Sequence, residues 1–176
     1  HACMELPLGV LITPHCAFGA GHHETTSMMI AALLEAREKG WFTQNRNVLD
    51  MGCGTGVLGI MAQKCGATQV VAVDIDDKSV TNSLENAQSN NVALDVRLGS
   101  TPPEGEYDLI LANIHRNILI EHMPTYANNL KTEGELWLSG FYQADIAYLI
   151  QTAEQVGLTH IETRNTNEWQ WLRLKK

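Results

Sequence analysis

The chain has 176 residues, 44% of them hydrophobic and 18% charged, and its formal net charge is −8. This composition allows a sizeable core and excludes a disordered or low-complexity chain. Its apolar runs are far shorter than the roughly 20 residues that a membrane-spanning helix needs. The negative charge disfavours a nucleic acid partner and favours a basic one. We therefore predict a single cytoplasmic domain over residues 1–176, with no membrane and no direct nucleic acid contact.

The predicted elements alternate between strands and helices from Asn47 onward, which is the pattern of βαβ units and a parallel sheet. Before that point, Thr25–Arg37 predicts a helix that Thr25 or Thr26 could cap. The predicted strands are Val48–Met51, Val70–Asp74, Leu94–Leu98, Leu109–Asn113 and Glu135–Ser139, and the predicted helices are Val57–Cys65, Lys78–Gln88, Asn117–Leu130 and Ala144–Val156.

Three of these helices carry further expectations. The spacing of Val80, Leu84 and Ala87 predicts that they form the apolar face of Lys78–Gln88. Pro124 is expected to kink or divide the helix that contains it. Gly157 is the expected C′ glycine of the last helix.

The C-terminus predicts an antiparallel hairpin. Thr159–Arg164 and Trp169–Leu174 are extended runs separated by the turn-forming residues 165–167, and alternation places Trp169 and Trp171 on one face for packing. The fold class is therefore α/β and Rossmann-like, with a mostly parallel seven-stranded sheet closed by this hairpin. Residues 1–46 would form an N-terminal segment and residues 47–176 the core.

A glycine-rich loop follows the first predicted strand of the core. Asp50–Gly56 has the sequence D-M-G-C-G-T-G, and its glycines let a ligand approach the backbone closely. The next strand ends in Asp74, where an open α/β sheet can present a carboxylate to a ribose. The glycine loop and Asp74 together predict a nucleoside-containing ligand.

A dinucleotide is the rival ligand, because Gly54–Gly59 also satisfies G-x-G-x-x-G with Asp74 about 20 residues on. Asp50 argues against that rival, since a pyrophosphate would meet like charge beside the loop. S-adenosylmethionine has no phosphate and carries a sulfonium and an ammonium group, with which a nearby acid is compatible.

The pattern D-x-G-x-G-x-G with an acid ending the second strand resembles the class I S-adenosylmethionine-dependent methyltransferases. The resemblance implies their Rossmann-like fold and S-adenosyl-L-methionine as cofactor. It also implies that Gly52, Gly54 and Gly56 lie under the methionine part of the cofactor and that Asp74 binds the ribose hydroxyls.

A second motif, Ala17–Thr26, reads A-F-G-A-G-H-H-E-T-T. It resembles the segment A-F-G-T-G-x-H-x-T-T of the bacterial ribosomal protein L11 methyltransferase family, except that Ala20 replaces a threonine. Leu111–Ile114 supplies the A-N-I of that family at the end of the fourth strand, and segments 139–141 and 168–171 are similar as well. The resemblance implies cofactor contacts at Phe18, Gly19, Thr26, Gly52, Gly54, Gly56, Asp74 and Asn113. Asp50, from the glycine loop, is added to this set.

The family resemblance implies methylation of lysine side chains and an N-terminal α-amine on a basic protein of the large ribosomal subunit. Asn113 is the candidate catalytic residue, orienting the amine through its side-chain carbonyl. Methyltransferases that act on adenine or glutamine typically have Asn-Pro-Pro-aromatic at this place, whereas Ile114 and His115 follow here. The family usually has an additional N-terminal domain that binds the ribosomal protein, and this chain has no room for it.

Three alternatives stay open: another protein substrate, a small-molecule amine, or a cofactor-binding module that transfers no methyl group. No metal site is expected, because Cys16, His22 and His23 lack a fourth ligand at recognised spacing. Cys53 is interpreted as a small structural residue. The sequence does not predict an oligomeric state.

Overall fold

The computed structural model describes residues 3–14 and 23–176. Seven strands form one sheet in the order β5-β4-β3-β6-β7-β9-β8. The first five of these pair in parallel and β9 pairs antiparallel with both β7 and β8. The strands of this sheet are β3 (Asn47–Met51), β4 (Gln69–Asp74), β5 (Asp95–Leu98), β6 (Tyr107–Asn113), β7 (Leu130–Tyr142), β8 (Thr159–Thr166) and β9 (Trp169–Lys175).

Within residues 3–14 and 23–176, five α-helices accompany the sheet. They are α1 (His23–Glu38), α2 (Val57–Cys65), α3 (Asp77–Ser89), α4 (Arg116–Asn129) and α5 (Ile146–Gln155). The predicted α/β class with a C-terminal antiparallel hairpin is confirmed. None of the helices in the described ranges is long and apolar enough to cross a membrane.

Side chains alternate along the strands between two buried layers, as expected for a parallel sheet that is covered on both faces. On β6, Leu109 and Leu111 belong to the layer that includes α1 and α2, whereas Ile110 and Ala112 belong to the layer that includes α4 and α5. Trp171 on β9 is fully buried in the first layer, which confirms the packing predicted for it.

A small hairpin of two strands precedes α1, and the sequence analysis missed it. Strands β1 (Met4–Leu6) and β2 (Val10–Ile12) pair antiparallel on either side of a short turn. Each strand has three residues, too few for hydrophobic alternation to be recognised.

Two predictions about helices are wrong. Helix α1 begins at His23, so Thr25 and Thr26 lie inside its first turn and do not cap it. Helix α4 runs undivided through Pro124. Pro124 lies on the exposed side of α4, where a carbonyl that loses its helical donor can bond to water, while the opposite side is anchored in the core.

The predicted apolar face of α3 is also wrong. Leu84 is 48% exposed, and the helix instead buries a mostly polar face. The buried residues of α3 are Ser79, Asn82, Ser83, Asn86 and Ala87. This face lies against backbone rather than against a hydrophobic layer, and exposed backbone carbonyls need donors that apolar side chains lack.

Candidate active site

The carboxyl ends of β3, β4 and β6 meet at one edge of the sheet. Met51, the last residue of β3, pairs with Val73 of β4 on one side and with Ala112 of β6 on the other. The glycine loop, Asp74 and Asn113 each follow or end one of these three strands. The parallel register therefore brings together residues that are far apart in the sequence, at the edge where open α/β sheets bind ligands.

The three glycines of the loop all have positive φ angles, of 76° at Gly52, 54° at Gly54 and 85° at Gly56. A Cβ at Gly52 would lie 2.5 Å from Cγ2 of Ile114, and one at Gly56 would lie 3.1 Å from Ser83. A Cβ at Gly54 would meet nothing within 4 Å. A side chain at Gly52 or Gly56 would therefore crowd Ile114 or Ser83, whereas the space beside Gly54 is open.

Asp74 holds the loop with its carboxylate. Its Oδ2 accepts a hydrogen bond from the N–H of Gly54 at 2.9 Å, and its Oδ1 accepts one from the N–H of Asp76 at 2.9 Å. The carboxylate is half-buried and can accept further bonds. Asp74 is therefore able to bind ligand hydroxyls while it keeps the loop in shape.

Asp50 lies beneath the loop and is 2% exposed. Its Oδ2 accepts a hydrogen bond from the N–H of Gly59 at 3.0 Å, one of the first-turn donors of α2 that have no partner within the helix. Burial raises the pKa of Asp50 to about 7, although the bond from Gly59 lowers it, and the charge of Asp74 raises it further. The contact predicted between Asp50 and a cofactor stays a prediction; in the structure this side chain anchors α2.

The polar face of α3 supports the loop from below. The hydroxyl of Ser83 donates to the carbonyl of Gly54 at 2.9 Å, and the amide of Asn86 donates to the carbonyl of Thr55 at 2.9 Å. The Cys53 thiol lies 3.3 Å from the Ser83 hydroxyl, and burial raises its pKa well above the usual range. A neutral thiol is a poor nucleophile, which fits the structural role expected for Cys53.

Asn113 ends β6 and is half-buried, opposite Ser139 in β7. Beside it lies Gly140, with a φ of 97°, where β7 and β9 shift register. A Cβ at Gly140 would lie 2.9 Å from the carbonyl oxygen of Ile114 and 3.2 Å from Oδ1 of Asn113. Gly140 therefore sets how closely β7 approaches Asn113, a role that could not be deduced from a single glycine in a predicted strand.

An open depression of about 350 Å³ adjoins this position. It is lined by His115, Arg116, Asn117, Gly140, Phe141, Tyr142 and Asp145. With Gly140 in its lining, this depression lies beside the end of β6.

Two exposed apolar residues flank Asp74, and the sequence analysis missed both. Ile75 is 75% exposed and Leu98, which pairs with Asp74 across β4 and β5, is 59% exposed. Their position at the ligand edge provides an apolar surface beside the carboxylate. The available signal was an apolar residue directly after a strand-ending acid, which a pattern analysis assigns to the core.

The upstream motif is described in part. Phe18 and Gly19 lie outside the described residues, as do Cys16 and His22. Thr26 is half-buried in the first turn of α1, and its role towards a cofactor stays a prediction.

Comparison with known proteins connects this edge to a family. A model of the ribosomal protein L11 methyltransferase family matches residues 5–176. The chain is 48% identical over 173 residues to the ribosomal protein L11 methyltransferase of Porphyromonas gingivalis, covering 96% of this chain and 58% of that protein. For the protein of the same name from Phocaeicola vulgatus, the identity is 44% over 164 residues, covering 91% of this chain and 57% of that protein.

A solved structure agrees with the sequence matches. The crystal structure of ribosomal protein L11 methylase from Lactobacillus delbrueckii subsp. bulgaricus superposes with a TM-score of 0.80 at 29% identity, covering 88% of this chain and 79% of that one. This chain thus spans little more than half the length of the two curated relatives. Within that span the sequence and the fold agree, and the chain belongs to the ribosomal protein L11 methyltransferase family.

Proposed function

We propose that this chain transfers methyl groups from S-adenosylmethionine to amino groups of ribosomal protein L11. The observation that carries the proposal is one sheet edge formed by three adjacent parallel strands. There the glycine loop follows β3, Asp74 ends β4 and Asn113 ends β6. Family membership supplies the reaction and the substrate that this geometry is proposed to serve.

The residues at this edge fit S-adenosylmethionine. The space above Gly54 lets the methionine part approach the backbone, Asp74 can accept hydrogen bonds from both ribose hydroxyls, and Ile75 offers an apolar surface for the adenine ring. When bound, the cofactor supplies an electrophilic methyl group on a sulfonium.

The acceptor amine must be deprotonated and oriented before it can accept the methyl group. A lysine has a pKa of about 10.4 and is mostly protonated at neutral pH, so its lone pair is blocked. Desolvation of that lysine beside the sulfonium would favour the neutral amine. The side-chain carbonyl of Asn113 can then accept one N–H of that amine and direct its lone pair along the edge, and such orientation can contribute roughly 7–11 kcal/mol.

A labelling experiment tests the proposal. The chain is incubated with S-adenosylmethionine that carries a radiolabelled methyl group and with a mixture of large-subunit ribosomal proteins, and labelled bands are identified by mass spectrometry. Label on lysine or α-amino groups of L11 is the expected result. High concentrations of both proteins ensure that weak binding of L11 to the chain does not prevent detection of the label.

Other outcomes separate the alternatives. Label on a different protein or on a small amine would overturn the L11 assignment but keep the methyltransferase. If the chain binds S-adenosylhomocysteine and labels nothing, even when the N-terminal domain of a full-length relative is supplied, it is a cofactor-binding module.

A further inference from the structure

Three buried asparagines follow one another at four-residue spacing along α3 and its C-terminal cap. Asn82, Asn86 and Asn90 are 1%, 2% and 5% exposed. Four-residue spacing places them on one side of the helix. Buried amides need hydrogen-bond partners. These asparagines find partners on the backbone of Leu11–Thr13, which comprises the end of β2 and the residue after it.

Asn90 and Asn86 bind this segment as a neighbouring strand would. Oδ1 of Asn90 accepts from the N–H of Leu11 at 2.8 Å, and its Nδ2 donates to the Leu11 carbonyl at 2.7 Å. Oδ1 of Asn86 accepts from the N–H of Thr13 at 3.0 Å, and its Nδ2 donates to the Thr13 carbonyl at 3.2 Å. Asn82 adds a bond to the same Thr13 carbonyl at 2.8 Å.

Asn86 makes one further contact that sets it apart from Asn90. The same Nδ2 that donates to Thr13 also donates to the carbonyl of Thr55, between Gly54 and Gly56 of the glycine loop, at 2.9 Å. One amide thus joins two segments that are far apart in the sequence. The second hydrogen bond that Nδ2 of Asn90 donates, in contrast, goes to the carbonyl of Asn86 in the same helix, at 2.7 Å.

We propose that Asn86 is a positioning residue that couples ligand binding in the glycine loop to docking of Thr13. A ligand that fixes the loop fixes the Thr55 carbonyl, and hence the amide that holds Thr13. Coupling of this kind is reciprocal, so a docked Thr13 also favours the loop conformation that binds the ligand.

This inference rests on the proposed function for the identity of the ligand, so its test uses binding of S-adenosylhomocysteine and not methyl transfer. This probe has no net charge at neutral pH and is therefore insensitive to an added carboxylate at long range. Asn86→Asp keeps the acceptor for the Thr13 N–H but loses the donors to Thr13 and Thr55. Asn90→Asp is the matched control, because it keeps the acceptor for Leu11 and loses two donors without touching the loop.

We expect Asn86→Asp to raise the dissociation constant of S-adenosylhomocysteine about tenfold in calorimetry, since the loss of one hydrogen bond to a buried carbonyl weakens an interaction by roughly that factor. Asn90→Asp should leave this dissociation constant within about threefold of the wild-type value. In the wild-type protein the ligand should slow hydrogen exchange at the Thr13 amide, and in Asn86→Asp it should not. Equal losses of affinity in the two variants, or no effect of the ligand on Thr13 in the wild type, would overturn the coupling.

The proposal can fail independently of the proposed function. If the wild-type chain binds no S-adenosylhomocysteine, the cofactor assignment is wrong, and the unliganded proteins then decide the coupling. Asn86→Asp should speed exchange of the Gly54 and Gly56 amides while Asn90→Asp should not; equal rates would refute the coupling. Should either aspartate variant fail to fold by circular dichroism, Asn86→Ala and Asn90→Ala repeat the comparison without an added charge.

Discussion

The carboxylate of Asp74 accepts a hydrogen bond from the N–H of Gly54 across 20 residues of chain. Its second oxygen accepts from Asp76, the residue whose side chain caps α3. One side chain thereby ties the end of β4 to the glycine loop and to the helix that supports the loop. A ligand that engages Asp74 would meet a carboxylate whose orientation is already fixed, which reduces the entropy lost on binding.

Asp74→Asn should weaken S-adenosylhomocysteine binding about 10- to 100-fold, because it removes a charged acceptor and leaves one oxygen where two are used. Isothermal titration calorimetry measures the change. Asp95→Asn, at the amino end of the adjacent strand β5, is the matched control and should bind normally. Wild-type affinity in Asp74→Asn would rule out the proposed ribose contact.

Gly54→Ala should fold yet bind the same ligand at least tenfold more weakly. The added methyl group meets no protein atom within 4 Å and therefore projects into the space assigned to the cofactor. An alanine at position 54 must also adopt a positive φ, which lowers the free energy of unfolding by about 1–2 kcal/mol.

Gly157→Ala controls for that cost, because Gly157 also has a positive φ and open space around its Cβ position but lies after α5. Comparable losses of stability in the two variants, with loss of binding confined to Gly54→Ala, are expected in urea titrations and calorimetry. Unaltered binding in Gly54→Ala would place the cofactor elsewhere.

The sequence was sufficient to predict the strands that form the ligand edge. Val48–Met51 and Leu109–Asn113 are mostly apolar runs, broken by Asp50 in the first and ended by Asn113 in the second, and such runs are typical of strands buried on both faces. Because parallel strands end at the same edge, the positions of Asp74 and Asn113 beside the glycine loop could be inferred from their places at strand ends.

The rest depends on contacts between distant parts of the chain. The polar face of α3 could not be predicted because Asn86 is buried against the backbone of Thr13 and Thr55, and a periodicity analysis of one helix contains no information about those partners. The same holds for Asp50, whose acceptor role towards Gly59 emerges only when α2 packs on β3. Sequence patterns therefore predicted which strand ends meet, and long-range hydrogen bonds determine the shape of the candidate site.

The raised pKa of Asp50 predicts a pH-dependent stability. In the unfolded chain this carboxyl has its ordinary pKa of 3.8, and in the fold burial raises it to about 7. The folded protein binds the additional proton between these values, so this group's contribution to the free energy of unfolding falls as the pH rises from about 4 to about 7.

Asp50→Asn should remove that slope, because its amide stays neutral and its carbonyl oxygen can still accept from Gly59. Urea titrations across this pH range measure the difference between the two proteins. Glu135→Gln is a control of opposite sign. Burial acts to raise the pKa of Glu135, but hydrogen bonds from Arg173 and Trp137 outweigh it and lower the pKa, so its contribution is lost as the pH falls. Parallel profiles for the wild type and Asp50→Asn would show that Asp50 ionises normally.

Asn113→Ala should separate methyl transfer from cofactor binding. The side-chain carbonyl is proposed to orient the acceptor amine, and misorientation of reacting groups can reduce a rate about 100-fold. Single-turnover labelling of L11 should show a loss of that order, whereas the affinity for S-adenosylhomocysteine should fall by much less. Asn45→Ala is the control, because Asn45 lies before β3 at the opposite edge of the sheet and accepts a hydrogen bond from Thr68. If Asn113→Ala methylates L11 at the wild-type rate, Asn113 does not orient the amine, and the backbone of Ile114 or the residues that line the neighbouring depression would have to do so.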